Sequence, residues 1–239
     1  MKLALMQPYF FPYVGYFQLI KAVDVFVVYD DVQFIKNGWI NRNRILLDGE
    51  PAWMTLPVER GNLRDYINQR HFVNYQQACT KILNQLDAAY RHAPHFTETM
   101  SFVKSMLALE GANIAEILKQ QLELTARHLG IATQFLISSR LPKQDSELFG
   151  QDRVIEICRA AKADVYCNSI GGVGLYDPSE FSKSGLALRF IKSHATPYKQ
   201  FGEGFVPDLS IVDALMFTSS REVAGMTRNF DLIERPSGE

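Results

Sequence analysis

The sequence predicts an α/β fold built on a Rossmann-like, mostly parallel sheet. Two short apolar runs, Lys2–Met6 (KLALM) and Asp24–Tyr29 (DVFVVY), are bounded by turn residues and separated by a helical stretch. The same strand–helix–strand rhythm returns at Thr133–Ile137, Asp164–Cys167 and Leu186–Phe190. Between these two regions, from about Tyr75 to Leu129, the apolar period changes to 3.6 with no strand signal, which marks a helical insertion.

The elements follow in order. KLALM stops at Gln7-Pro8, and Tyr16–Ala22 reads as a short helix entered through the turn at Gly15. With DVFVVY this makes a βαβ unit, whose crossover is expected to be right-handed. Arg44–Leu47 and Ala52–Leu56 flank Asp48-Gly49, a hairpin signal. In the insertion, Cys79, Ile82, Leu83, Leu86 and Tyr90 form one helical face, and Phe102, Val103, Met106 and Leu107 a second. Ile114, Ile117, Leu118, Leu122 and Leu129 form a third, with Asn113 and Glu116 spaced as a capping pair and Gly130 at the stop. Arg153–Ala161 is expected as a helix between two strands, and Ser210–Phe217 as the last one, with Ser210 and Asp213 spaced as a capping box. The tail from Arg221 is expected to be loosely held. The main strands are expected in the order 3-2-1-4-5, within a single domain over residues 1–239 and an insertion over about 75–130.

Composition narrows the function classes. Lys and Arg number 25 against 26 Asp and Glu, so no bulk basic face for nucleic acid is expected. No segment is long and uncharged enough to span a bilayer, and Pro8, Pro12 and Gly15 interrupt the apolar start, so a cytoplasmic location is expected. Cys79, Cys158 and Cys167 form no C-x-x-C pair and read as buried reduced thiols.

Open α/β sheets bind ligands at the carboxyl ends of their strands, beside the switch point. The expected order puts that point next to the first strand, whose following loop is QPYFFPYVGY. Phe10, Phe11 and Phe17 suit either core or site. Gln7, Tyr9, Tyr13 and Tyr16 carry polar tips that need partners, and Gly15 permits close backbone approach. The second strand ends in Asp30-Asp31-Val32-Gln33, followed by Asn41-Arg42-Asn43-Arg44. Asp31 is the candidate general base, with Asp30, Gln33 and Asn41 as substrate contacts and Arg42 or Arg44 gripping phosphate or carboxylate. Paired aspartates could equally hold Mg²⁺ through phosphates. Asn168, Gly171 and Gly172 follow the Asp164–Cys167 strand at the same edge. Ser138-Ser139 closes another strand there, without the surroundings of a nucleophile elbow. His128 near a helix end complements the helix dipole, while His71 and His194 reach the site only if their loops fold over the sheet edge. Tyr198 and Gln200 are candidates for a lid.

Tyr13-Val14-Gly15-Tyr16 with the following DVFVVYDDVQF resembles the H-x-G-H segment of nucleotidyltransferases and pantothenate synthetases, whose histidines steady ATP phosphates. Both histidines are tyrosines here, which are not cationic and titrate near ~10. A broader likeness covers Met1 to about Phe217: QPYFFPYVGYFQLI, YDDVQF, WINRNRI, WMTLPV, Tyr90-x-x-Ala93-Pro94, ISSRL, Gly171-Gly172 and FVPDLSIVDAL together resemble the WbqC-like family. That resemblance implies a role in O-antigen or related surface-polysaccharide synthesis. It implies a transferase forming an amide on a nucleotide-linked amino sugar from an activated acyl donor. At the sheet edge the diphosphate is then expected near Gly15 and Arg42 or Arg44. An adenylating enzyme and a non-catalytic sugar-nucleotide binder are the alternatives. No cofactor is assigned.

Overall fold

A computed structural model describes residues 1–62, 64–142 and 148–234. Its central sheet holds β1 (Lys2–Met6), β2 (Val25–Val28), β5 (Gln134–Ile137), β6 (Val165–Ser169), β7 (Ala187–Ser193) and β8 (Phe230–Ile233), in the order β5-β2-β1-β6-β7-β8. All neighbours run parallel except β8, which is antiparallel to β7. A separate antiparallel hairpin joins β3 (Arg42–Leu47) to β4 (Glu50–Thr55). Its two-residue turn, Asp48 at φ 53° and Gly49 at φ 82°, has the left-handed backbone that twisted hairpins demand.

Period-two alternation lets each strand serve two cores. Ala4, Phe26 and Val28 point to one side, where α1 (Val14–Lys21), α2 (Tyr75–Tyr90), α3 (Phe96–Leu107), α4 (Ile114–His128), α7 (Ile211–Phe217) and α8 (Ser220–Met226) contribute to the larger core. Leu3, Leu5, Val25 and Val27 point to the other, under α5 (Gly150–Ala160) and α6 (Pro178–Lys183). Asn113 caps α4 by accepting from Glu116 N at 3.3 Å, and Gly130 takes φ 66° just beyond it. The three cysteines are buried and free.

Two expectations need correction. The sheet is not the five-strand order 3-2-1-4-5, because β8 adds a sixth, antiparallel edge strand. That strand comes from the tail expected to be loose. Ser219 and Glu222 form a capping box that starts α8, and buried Gln18 ties the following turn down by donating to Met226 O and Asn229 O, both at 3.0 Å. Residues 235–239 of that tail lie outside the described residues. The second correction concerns Ser210 and Asp213. Ser210 caps α7, but the Asp213 side chain turns inward to Tyr90, Tyr198 and Gln200.

His128 stacks on Phe102 with ring centroids 4.2 Å apart, and burial lowers its pKa, opposed by the Glu98 charge. It is therefore neutral at pH 7 rather than a cation serving the helix dipole. The unfolded chain protonates first, so the stability that neutral His128 contributes is lost as pH falls through the unfolded value of 6.5. The melting temperature should drop on acidification from about pH 7.5 to 5.5, and His128→Gln should flatten that slope. An identical slope in the variant would assign the acid response elsewhere.

Candidate functional site

β1 lies between β2 and β6, so the chain leaves it in opposite directions and the switch point opens at its carboxyl end. Gln7 follows β1 and Tyr29 and Asp31 follow β2, whereas Asn168, expected just after its strand, lies within β6 near its carboxyl end. Tyr29 N donates to Met6 O at 2.9 Å, and burial, with the Asp31 charge adding, pushes the Tyr29 hydroxyl up to about 12. Arg153 from the first turn of α5 reaches Asp31 Oδ2 at 3.1 Å and Glu156 Oε2 at 2.6 Å, while Ser138 Oγ donates to Asp31 Oδ1. The carboxylate at the switch point is thus clamped from α5 and from the end of β5.

Asp30 has a different role. Ser139 N (2.9 Å) donates to its Oδ1, and Ser139 Oγ (2.6 Å) and Asn68 Nδ2 (3.1 Å) donate to its Oδ2, while Ser138 Oγ, whose one proton serves Asp31, lies 2.9 Å from Oδ1. Three donors engage both carboxylate oxygens, so Asp30 bolts β2 to β5 instead of facing a ligand. Asn168 is buried, and its Oδ1 accepts from Ser169 N at 2.7 Å. A Cβ on Gly172 would stand 2.7 Å from Asn168 Nδ2, so a larger residue there would displace the Asn168 amide, whereas Gly171 faces open space. The Tyr176 hydroxyl lies 3.2 Å from that of Tyr166, beside Asn168.

The QPYFFPY loop divides between core and surface. Phe10, Phe11 and Tyr16 are buried, and the Tyr16 hydroxyl donates to Gln7 O at 2.7 Å, so its polar tip is spent inside the protein. Tyr9 is half-buried on the Tyr16 ring, centroids 5.3 Å apart. Phe11 adopts φ 39°, an unusual value for a non-glycine residue. It is held there by Asn43 Nδ2, which donates to Phe10 O (3.0 Å) and Phe11 O (2.8 Å), and by Ser210 Oγ, which donates to Phe11 O at 2.8 Å. Tyr13 is exposed, and its ring lies so close over Gly15 that a Cβ would meet it at 2.4 Å. Both residues line a cavity of about 160 Å³ with His194, Tyr198 and Asp208. His194 lies 2.8 Å from Asp231, and the Tyr198 segment is tied to Asp213 rather than free to swing as a lid.

The remaining candidates are not drawn to Asp31, whose guanidinium partner is Arg153 rather than Arg42 or Arg44. Alternation in β3 turns Asn43 and Ile45 inward and leaves Arg42 and Arg44 on the outer face of the hairpin. Arg42 lies over Trp53 at 4.1 Å from its centroid, and Arg44 over Trp39 at 5.4 Å. Asn41 donates to Leu56 O at 2.7 Å, Gln33 pairs with Tyr66 in an antiparallel bridge, and His71 Nδ1 lies 2.9 Å from Glu59. Tyr29, Tyr176 and Arg153 are the edge residues that sequence reasoning missed. Tyr29 closes an apolar run and counts as strand, and Arg153 opens an amphipathic helix. Only the polar tip at the last position of DVFVVY carried a signal.

Among the described residues, no helix is long and apolar enough to cross a membrane. No solved structure matches the chain. An uncharacterized protein of Mycobacterium tuberculosis is 28% identical over 217 residues, covering 90% of this chain and 92% of that protein. The model of the WbqC-like protein family matches residues 7–224, from the aromatic loop through the clamped switch point to α8, and the chain belongs to that family.

Proposed function

We propose that this chain is a transferase that forms an amide on a nucleotide-linked amino sugar, by acyl or aminoacyl transfer, in O-antigen or related surface-polysaccharide synthesis. Support comes from the aromatic-loop motif and, above all, from the Asp31 carboxylate held at the switch point beside the Tyr29 hydroxyl. In this reading the sugar amine attacks the acyl carbonyl of an activated donor. The new C–N bond forms as the donor's leaving group departs, and Asp31 takes the proton the amine sheds. Arg153 fixes the carboxylate's direction at some cost in basicity.

The test is incubation with UDP- and dTDP-amino sugars and a panel of acyl donors, followed by mass spectrometry. An amide product is expected, and Asp31→Asn should slow its formation by roughly 10²–10⁴-fold, the usual contribution of a general base. No product from any pair would sink the transfer reading. The pairing of Asp31 with Arg153 also suits a non-catalytic sugar-nucleotide binder, which would show saturable binding without turnover and unchanged affinity in Asp31→Asn. The adenylating alternative is weakened because Tyr16, at the second position of the H-x-G-H-like segment, is buried with its hydroxyl on Gln7 O.

A further inference from the structure

Both tryptophans of the chain stand on the outer face of the hairpin, Trp39 36% and Trp53 42% exposed, with ring centroids 5.3 Å apart. Large aromatic rings left in water next to cations are a stacking surface waiting for a flat or ring-shaped partner. Arg42, which lies over Trp53, also lines an adjoining pocket of about 530 Å³ between the hairpin and the loop around Gly61. Lys36, Arg60 and Arg70 line it too, with Glu59 as the sole carboxylate among the lining residues. In a chain whose net charge is −1, that concentration of cations is local.

The pocket is built around Arg70, which is 8% exposed. Its Nη1 lies 3.3 Å from both Asn62 O and Asp65 Oδ2, its Nη2 donates to Glu59 O, and its guanidinium lies over Phe34. The loop closes on it only with glycine, since a Cβ at Gly61 would stand 2.4 Å from Arg70 Nη1. Arg70 Nε is buried without a hydrogen-bond partner. Glu59 Oε1 is taken by the backbone and ring of His71. Among the described residues, Lys36, Arg42 and Arg60 have no carboxylate partner. Phe34, on the pocket wall, is three positions from Asp31, and an extended chain covers at most ~3.3–3.6 Å per residue. The pocket wall at Phe34 thus lies within roughly 10–11 Å of Asp31 along the chain.

We propose that this pocket binds the diphosphate of a nucleotide-linked substrate, with the base against Trp53 and Trp39 and the sugar reaching towards Asp31; the proposal rests on the transferase reading above. It places the diphosphate on Lys36 and Arg60, away from Gly15, with Arg42 and Arg70, which are held by backbone carbonyls and Asp65, adding positive charge to the wall. Because Arg42 of the pocket wall lies over Trp53, and Trp39 packs on Trp53, intrinsic tryptophan fluorescence reports on the pocket through that contact. Titration with UDP should give a saturable change, and inorganic pyrophosphate should compete with it. The double variant Lys36→Ala/Arg60→Ala removes two exposed cations and should melt within a few degrees of wild type. It should bind UDP more weakly by roughly tenfold per charge, as lost charge-assisted hydrogen bonds imply. Calorimetry showing that neither UDP nor pyrophosphate binds at millimolar concentration, or wild-type affinity in the double variant, would overturn the assignment. The two readings fail separately. Amide formation with a KM unchanged by the double variant removes the pocket and keeps the transferase. Binding of UDP and pyrophosphate that weakens in the double variant, without amide from any donor, does the reverse.

Discussion

Replacing Asp213 with alanine should lower the free energy of unfolding by roughly 3–5 kcal/mol, because three buried donors lose their acceptor and each unsatisfied one costs about 1–3 kcal/mol. Asp213 is 0% exposed and takes Tyr90 Oη on Oδ2 at 2.6 Å, with Tyr198 Oη (2.6 Å) and Gln200 Nε2 (2.7 Å) on Oδ1. Burial raises its pKa, and those three hydrogen bonds work in the opposite direction. Three donors from α2 and from the segment after β7 would lose their acceptor at once. Domains of this size hold only about 5–15 kcal/mol in total. At ~2–4 °C per kcal/mol the melting temperature should fall by about 10 °C. Asp213→Asn should cost less, because its amide oxygen can still serve Tyr198 and Gln200. Its –NH₂ would face Tyr90 Oη, which already accepts from Leu46 N at 2.8 Å, and would leave the Tyr90 hydroxyl proton without an acceptor. Tyr198→Phe, which removes one donor, should cost only about 1 kcal/mol. Thermal and urea unfolding of the three variants checks the ranking. An alanine variant within about 1 kcal/mol of wild type would show that the network is dispensable.

The same network shows why the fold was more legible than the site. Strand character follows from local alternation, so KLALM and DVFVVY identify themselves, and the Asp-Gly turn identifies the hairpin. β8 did not, because FDLI is a four-residue edge whose anchor is Gln18, more than two hundred residues away in sequence. Site residues are harder still, because function depends on which way a side chain turns. In Tyr13-Val14-Gly15-Tyr16 the first tyrosine stands outside the helix and is exposed, whereas helical rotation carries the second into the core. The N-R-N-R run offered two pairs of polar tips, and strand alternation sent Asn43 inward to hold Phe11 and both arginines outward to the tryptophans. That Asp31 lies at a strand end could be read from its position. That its cation comes from position 153 could not, because such pairing is a property of the assembled sheet edge.

Arg153→Ala should be the most damaging change at the switch point, costing roughly 3–5 kcal/mol, because it strips a cation from two nearly buried carboxylates. The Arg153 side chain is 10% exposed, Asp31 11% and Glu156 13%, so little solvent replaces the lost partner. Arg153→Lys should recover only part of the loss, since one ammonium cannot hold two carboxylates with the geometry of a guanidinium fork. Combining Arg153→Ala with Asp31→Asn should be less destabilising than the two single costs added, because the neutral amide no longer needs the cation. A coupling of about 0.5–3 kcal/mol is expected for groups in direct contact. The same cycle separates a structural from a catalytic clamp. If Arg153 only supports the fold, a variant rescued below its melting temperature should react with an unchanged pH profile. If it orients and tempers Asp31 as the base, its removal withdraws a charge that favours the carboxylate form, and the acid limb of the rate profile should move to higher pH. A shift of that limb with Arg153→Ala, absent in a control such as Glu156→Gln that leaves the Asp31–Arg153 contact in place, would assign the proton to Asp31. No shift in either variant would leave Arg153 a structural clamp and remove Asp31 from the proton path.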